Sequence, residues 1–281
     1  MQPSTMSNSQ PARIIFHAGF HKTGTTSLQK SLVAHQPLLG VSIKVETRAT
    51  SNLLTQAAEA ARRYSIQPND GSDSDLRHAL TKWADGLTLQ ADQQLLVSSE
   101  DFSGHMPGNK GAKDYSAAPA IAAAIAAVLT QRFGDGLALS LVYTVREANA
   151  WLRSIHWQIA RHPTLDLTAD RFCRRYANAA DFASTLAGIG RDTPGIALKV
   201  VALEDLITRR LGPVEALYDL AGLPDTLRHS LPPLPPANRR PPIDLADVFV
   251  AMNKAGMSRD QLKRLKLRLL AAAEMEREAD T

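Results

Sequence analysis

The chain has 281 residues, enough for one large domain or two small ones with a substantial buried core. Its formal charge of +4 comes from 32 Lys and Arg against 28 Asp and Glu, spread along the chain instead of gathered in blocks, which suits anionic ligands but does not favour nucleic acid. A single cysteine, Cys173, excludes a disulfide framework and a cysteine-based metal site, and fits a reducing, cytoplasmic setting.

In chain order, residues 1–12 are polar, lack the apolar run of a secretory signal and read as a disordered tail, leaving 13–281 as one domain. Four short apolar, β-rich runs follow: "RIIFHAG" (13–19), "QLLVSSE" (94–100), "LALSLVYTVRE" (137–147) and "GIALKVVALED" (195–205). Each leads into polar or glycine-containing sequence and then a helix-compatible segment. That alternation predicts an α/β fold with a central parallel sheet covered on both faces, a three-layer α/β/α arrangement. Residues 44–93 are polar and helix-prone, with a turn-rich stretch at 67–75 and no readable motif. The Ala-rich run "SAAPAIAAAIAAVLTQRFG" has an apolar part shorter than the roughly 20 residues of a spanning helix, so a buried or amphipathic helix is expected and no integral membrane association. Residues 232–242 form a Pro-rich basic loop, and 243–281 a helical segment with a basic amphipathic helix over about 258–277.

In such sheets ligands gather beyond the carboxyl ends of the strands, which directs attention to Gly19–Ser27, Ser98–Phe102, Arg146–Ser154 and Glu204–Asp205. In the first of these, Gly19 and Gly24 stand five apart, between a strand and a helix beginning near Thr25. Glycines permit the tight turn, and the backbone amides at the helix start, with the positive end of its dipole, make an anion site. Thr25, Thr26 and Ser27 add hydroxyl donors. A Walker-type nucleotide triphosphatase carries lysine after the second glycine. Here that residue is Thr25, and the loop's lysine is Lys22, inside the turn. This arrangement suits a single phosphate, with Lys22 directed at the atom bridging it to a leaving or arriving group.

The residues "HKTGTTSL" resemble the 5′-phosphosulfate loop of sulfotransferases that use 3′-phosphoadenosine 5′-phosphosulfate. The resemblance implies a P-loop nucleoside-triphosphate-hydrolase-like sulfotransferase fold, with Lys22 catalytic and His21, Lys22, Thr23, Gly24, Thr25, Thr26 and Ser27 around the donor. His21 is expected to contribute a backbone N–H instead of its ring. A second segment, "LVYTVREANAWLRSIHWQ", has Arg146 at a strand end and Ser154 eight residues later. Arginine can grip a phosphate with two N–H bonds and serine can add a third. Alone, the pair reads as a surface arginine and a helix serine; following the first loop, it resembles the family's 3′-phosphate motif. "VVALEDLITRRLGPVEALYDLAGLP" resembles a further family segment. Past it, Arg239 and Arg240 are candidates to close over the 3′-phosphate, the alternative being a solvated linker.

Sulfuryl transfer to an alcohol or amine needs a base for the acceptor proton. In "LLVSSEDFSGH" the resemblance to glycan-modifying sulfotransferases assigns that role to Glu100. The alternative is a helix start, with Ser98 or Ser99 as cap and Glu100 and Asp101 in the first turn. His105 and His17 are reserve bases, although His17 lies within a strand and reads as a core residue. Arg153 is expected to face solvent, and His156 and Trp157 to pack their helix. The resemblance implies no metal and an acceptor that is a small molecule or a glycan; the oligomeric state is not legible. Two other readings stay open. One is a P-loop kinase using ATP and magnesium, with Asp205 as the metal-holding carboxylate; the other is a non-catalytic nucleotide-binding protein on the same scaffold.

Overall fold

The computed structural model describes residues 12–90, 92–235, 237 and 243–279, so residues 1–11 of the expected tail 1–12 and the loop arginines Arg239 and Arg240 lie outside the described residues. The elements run β1 (Arg13–His17), α1 (Thr25–His35), β2 (Ile43–Thr47), α2 (Asn52–Ile66), α3 (Asp70–Asp85), β3 (Gln94–Ser98), α4 (Ala118–Phe133), β4 (Ala138–Val145), α5 (Ala148–Ala160), α6 (Ala169–Arg175) and α7 (Phe182–Asp192). They continue through β5 (Ala197–Ala202), α8 (Leu203–Leu206), α9 (Glu215–Ala221), α10 (Asp225–Ser230), α11 (Ala246–Lys254) and α12 (Arg259–Ala279). The strands form one five-stranded parallel sheet in the order β2-β3-β1-β4-β5. The α/β class, with helices on both faces of a parallel sheet, is as the sequence predicts.

The pleat of β1 explains the layers. Ile14 and Phe16 point into the larger core, shared with Leu54 and Ala58 of α2, Trp83 of α3 and Ile121 and Ile125 of α4. Ile15 points the other way, into a smaller core with Leu28 and Leu32 of α1 and Leu217 and Tyr218 of α9. A central strand whose alternate residues all enter apolar layers must be apolar throughout, which is why this run was visible in sequence.

The region 44–93 departs from a purely helical reading. Its start, with Ile43, is the edge strand β2, "IKVET", which is buried only at alternate residues and carries Lys44 and Glu46 between them. That half-polar pattern hid it. The stretch at 67–75 is a turn only as far as Asn69, whose side-chain oxygen accepts from Ser72 N–H while Ser72 Oγ accepts from Asn69 N–H. This reciprocal capping starts α3 at Asp70. The Ala-rich run is the buried helix α4, and Gly188 of α7 lets the two helices approach: a Cβ at 188 would lie 2.9 Å from Pro119 Cγ. Among the described residues, no helix is long and apolar enough to cross a membrane.

Beneath the carboxyl end of the sheet runs a buried polar chain. His17 Nδ1 lies 2.8 Å from Ser98 Oγ, His17 Nε2 3.2 Å from Thr144 Oγ1, and Thr144 Oγ1 2.6 Å from Thr23 Oγ1, which donates to Phe20 C=O at 2.6 Å. The last bond sets the direction of the rest. Thr23, having spent its proton on a carbonyl, must accept from Thr144; Thr144 accepts from His17 Nε2–H; His17 Nδ1 accepts from Ser98. Each hydroxyl is used, and a neutral imidazole is required. Burial agrees, pushing the His17 pKa down to about 3.

The consequence is measurable. Between the unfolded value of 6.5 and the folded value of about 3, the unfolded chain binds a proton that the native state refuses. This contribution to stability is therefore full above pH 6.5 and falls as pH drops through that window, by up to ~1.4 kcal/mol per pH unit. Urea unfolding across the window should show this loss in the wild type and a shallower pH slope in His17→Gln.

Candidate active site

The loop between β1 and α1 is fixed from both sides. Ala18 and Gly19 N–H donate to Val142 C=O at 3.1 and 3.4 Å, and Ser103 Oγ donates to Ala18 and Gly19 C=O at 3.0 and 2.9 Å. Phe20 is fully buried, its ring 4.6 Å from that of Phe182 and 4.8 Å from that of Tyr115. Both glycines are required. A Cβ at Gly19 would sit 2.5 Å from His17 Nε2; Gly24 has φ 91° and a Cβ there would meet Leu203 Cδ1 at 2.7 Å. Lys22 also has positive φ, 65°, a conformation that disfavours any side chain. Helix α1 begins right after Gly24, with Leu28 N–H donating to Gly24 C=O as its first bond, so the amides of Thr25, Thr26 and Ser27 head the helix without intrahelical acceptors.

A cavity of about 630 Å³ opens in front of this helix head. The structure brings together in its lining His21, Lys22, Gly24, Thr25, Thr26, Ser27, Glu100, Arg146 and Ser154, from three different strand ends. Lys22 Nζ donates to Gln158 Oε1 at 3.4 Å, and Arg146 Nη1 reaches Lys22 C=O at 3.4 Å, so the arginine borders the loop. Ser154 lies on α5, buried, two turns along from Arg146. Its neighbour Arg153 turns outward to Asp170 at 3.3 Å. His156 Nε2–H donates to Leu167 C=O at 2.9 Å, and Trp157 stacks on Phe249; both pack the helix as expected.

Two loop residues differ from expectation in detail. The Thr23 side chain is wholly buried in the polar chain and does not line the cavity. The His21 N–H, expected to face a ligand, donates instead to Tyr115 Oη at 3.2 Å, and its ring Nδ1 lies 3.1 Å from the same hydroxyl. Tyr115 can accept the amide and donate to the ring nitrogen, which satisfies both.

Glu100 opens a single helical turn after β3, and its Oε2 accepts from Gln29 Nε2 at 2.6 Å. Neither serine before it caps that turn: Ser98 is engaged with His17, and Ser99 Oγ is buried without a partner among the described residues. Asp101 is buried and turned away from the cavity, 2.6 Å from Arg48, 3.7 Å from Arg62 and 3.7 Å from His21. Burial alone raises its carboxyl pKa, but the interaction with His21 and the charges of Arg62 and Arg48 outweigh that and hold it below the usual range. His105 does not line the cavity, and burial together with the charges of Arg62 and His21 lowers its pKa. His17 is locked in the core. Asp205 is exposed, outside the lining, in the short helix α8 beyond the edge strand.

The cavity has further walls that no motif announced. Gln158 on α5 and Arg161, which caps its carboxyl end, follow Ser154 at helical spacing, so the face could have been extended from Ser154 by periodicity alone. Leu203, Ile207 and the stretch Arg209–Pro213 complete the opposite side, and only the fold brings them there. Arg209 is matched by Asp219 at 2.6 Å and Glu215 at 2.7 Å. Ser27 Oγ accepts from Ala237 N–H at 3.0 Å, tying the Pro-rich loop to α1.

No protein-family model and no curated protein matches the sequence. Among solved structures, a sulfotransferase from Alicyclobacillus acidocaldarius is similar at 15% identity and TM-score 0.45, over 86% of this chain and 92% of that one. A chain from the PezAT chromosomal toxin-antitoxin system of Streptococcus pneumoniae is similar at 10% identity and TM-score 0.32, over 90% and 88%. Neither likeness is strong enough to carry function, which has to come from the residues of the cavity.

Two substitutions separate loop geometry from loop chemistry. Lys22→Gly removes the charge and relieves the positive φ, so thermal unfolding should shift upward or stay level, by at most about 1 kcal/mol, while anion binding is lost. Gly24→Ala keeps every charge but combines positive φ with a clash; it should lower stability by about 1–3 kcal/mol in the same assay and weaken binding as well.

Proposed function

We propose that the protein transfers a sulfuryl group from 3′-phosphoadenosine 5′-phosphosulfate to a hydroxyl or amine of an acceptor. The observation that carries this reading is that a single cavity gathers two separate anion grips and one carboxylate. Its described lining has five cations, Lys22, Arg146, Arg161, Arg209 and Arg210, against Glu100 alone as an acid. The helix head at Thr25–Ser27 suits the 5′-phosphate, and Arg146 with Ser154 the 3′-phosphate. Leu203, Ile207 and Pro213 offer apolar surface for the adenine beside them.

In this reading Glu100 takes the proton as the acceptor oxygen forms its bond to sulfur, and the bond from sulfur to the bridging oxygen breaks. Lys22 meets the negative charge that collects on that oxygen, which leaves with the 5′-phosphate. Gln29, holding one oxygen of Glu100, keeps the carboxylate turned to the cavity. The kinase alternative leaned on Asp205, which stands outside the cavity, and it lacks a lysine at position 25.

Titration calorimetry with adenosine 3′,5′-bisphosphate and with ATP plus magnesium distinguishes the two; tighter binding of ATP would overturn the sulfuryl reading. Lys22→Ala and Arg146→Ala should each abolish donor use, with Arg146→Ala weakening bisphosphate binding on the order of a hundredfold. Glu100→Ala should leave bisphosphate binding intact and lower the turnover number by about 10²–10⁴ with sulfur-labelled donor. Undiminished turnover in that variant would remove Glu100 from the role of base.

A further inference from the structure

A second cavity, of about 410 Å³, lies between the carboxyl end of α5 and the helices α11 and α12. It adjoins the first, with Gln158 and Arg161 lining both. Gln158 is also the residue to which Lys22 Nζ donates, at 3.4 Å, so the loop lysine ends on a side chain that borders both cavities.

The character of this cavity differs from that of its neighbour. Phe249 and Leu262 form a buried apolar backing, and the apolar surface open to a ligand comes from Leu267, which is exposed, and the partly buried Leu270. Its rim is basic, with Arg161, Arg259 and Lys263 set against the single acid Asp260. Lys266 also lines it, but that side chain is buried and committed: its Nζ donates to Asn253 Oδ1 at 2.6 Å and to Ala160 C=O at 2.8 Å, capping the end of α5. What remains for a ligand is an apolar trough edged by exposed cations. Along α12 the lining runs from Arg259 to Leu270, about 16 Å at the helical rise.

We infer that this second cavity seats the body of the acceptor, and that the acceptor is an anionic amphiphile: an aliphatic chain with a carboxylate or comparable anion near Arg259 and Lys263, and a hydroxyl directed past Gln158 toward Lys22. The assignment rests on the sulfuryl-transfer reading of the first cavity. An apolar chain alone would leave the rim cations unused, and a compact polar sugar would leave Leu267 and Leu270 without apolar contact.

The test uses the full chain and three probes, ω-hydroxyoctanoate, 1-octanol and adenosine 3′,5′-bisphosphate, each titrated by calorimetry. Both substitutions, Lys263→Glu and Leu267→Asp, fall at exposed positions and are expected to fold. Lys263→Glu should weaken ω-hydroxyoctanoate at least about tenfold and leave 1-octanol nearly unchanged. Leu267→Asp should weaken both, and neither change should alter bisphosphate binding. With sulfur-labelled donor, ω-hydroxyoctanoate should be sulfated in preference to 1-octanol, and the preference should disappear in Lys263→Glu. Bisphosphate binding with no hydroxyoctanoate binding, or hydroxyoctanoate binding indifferent to both substitutions, would overturn the acceptor assignment while leaving the donor reading in place. Hydroxyoctanoate binding without any bisphosphate binding would overturn the donor reading, and with it the description of this ligand as an acceptor.

Discussion

The constraint on which the rest of the structure depends is the buried hydrogen-bond chain from Ser98 through His17, Thr144 and Thr23 to the carbonyl of Phe20. It crosses the three central strands at their carboxyl ends and finishes inside the loop that carries Lys22. Because one proton donor sits at each link, the chain has one direction and needs a neutral His17; a second ring proton, on Nδ1, would oppose the hydroxyl proton that Ser98 donates there. Gly19 exists to make room for that ring, and Thr23 is drawn inward by it. The loop then reverses around Thr23, with positive φ on either side at Lys22 and Gly24, and leaves the head of α1 open. An anion site made of backbone amides is only as well aimed as the loop is rigid, and this chain supplies the rigidity.

Charge is arranged on the same principle of prior commitment. Asp101 occupies Arg48 and Arg62 behind the cavity, so that Glu100, one residue earlier, stands as the lone carboxylate facing it among the described residues. On the other wall Arg209 is held by Asp219 and Glu215, and Arg210 donates to the carbonyls of Leu231 and Arg228. Those two arginines build the wall. The excess of positive potential offered to a ligand then comes chiefly from Lys22, Arg146 and Arg161, spaced along the loop and α5, which suits a ligand with separated anionic groups better than a compact one.

Much of the fold was legible because burial on both faces leaves an apolar signature. The three inner runs, β1, β3 and β4, are continuous enough to be seen in sequence, and the helix at α12 shows its period; β5, an edge strand largely exposed, was visible through its β-branched apolar composition and not through burial. Strand β2 was not, since an edge strand with Lys44 and Glu46 on its half-buried positions has the composition of a helix or loop. The capping exchange between Asn69 and Ser72 was read as a turn for a related reason: the same residue types serve turns and helix starts, and only the following backbone decides. At the site, Lys22, Thr25–Ser27 and Arg146 were legible because their chemistry is tied to local spacing. Arg209, Leu203 and Pro213 were not, because they contact the same space only after β5 has been laid beside β4.

The sequence by itself determined the parallel α/β class, the glycine-turned loop with its lysine displaced into the turn, and the order in which the two anion motifs and the glutamate occur. These are local properties, set by side-chain period and by residue types at short spacing. Only the tertiary structure decided which hydroxyls face the ligand and which serve the core: Thr23 and Thr25 look equivalent in the sequence, yet the first completes a buried chain and the second borders the cavity. Only it set the cavity at the head of α1 beside the trough at α12, with Gln158 lining both. Both decisions depend on atoms more than a hundred residues apart meeting at hydrogen-bond or van der Waals distance, and no local pattern encodes that.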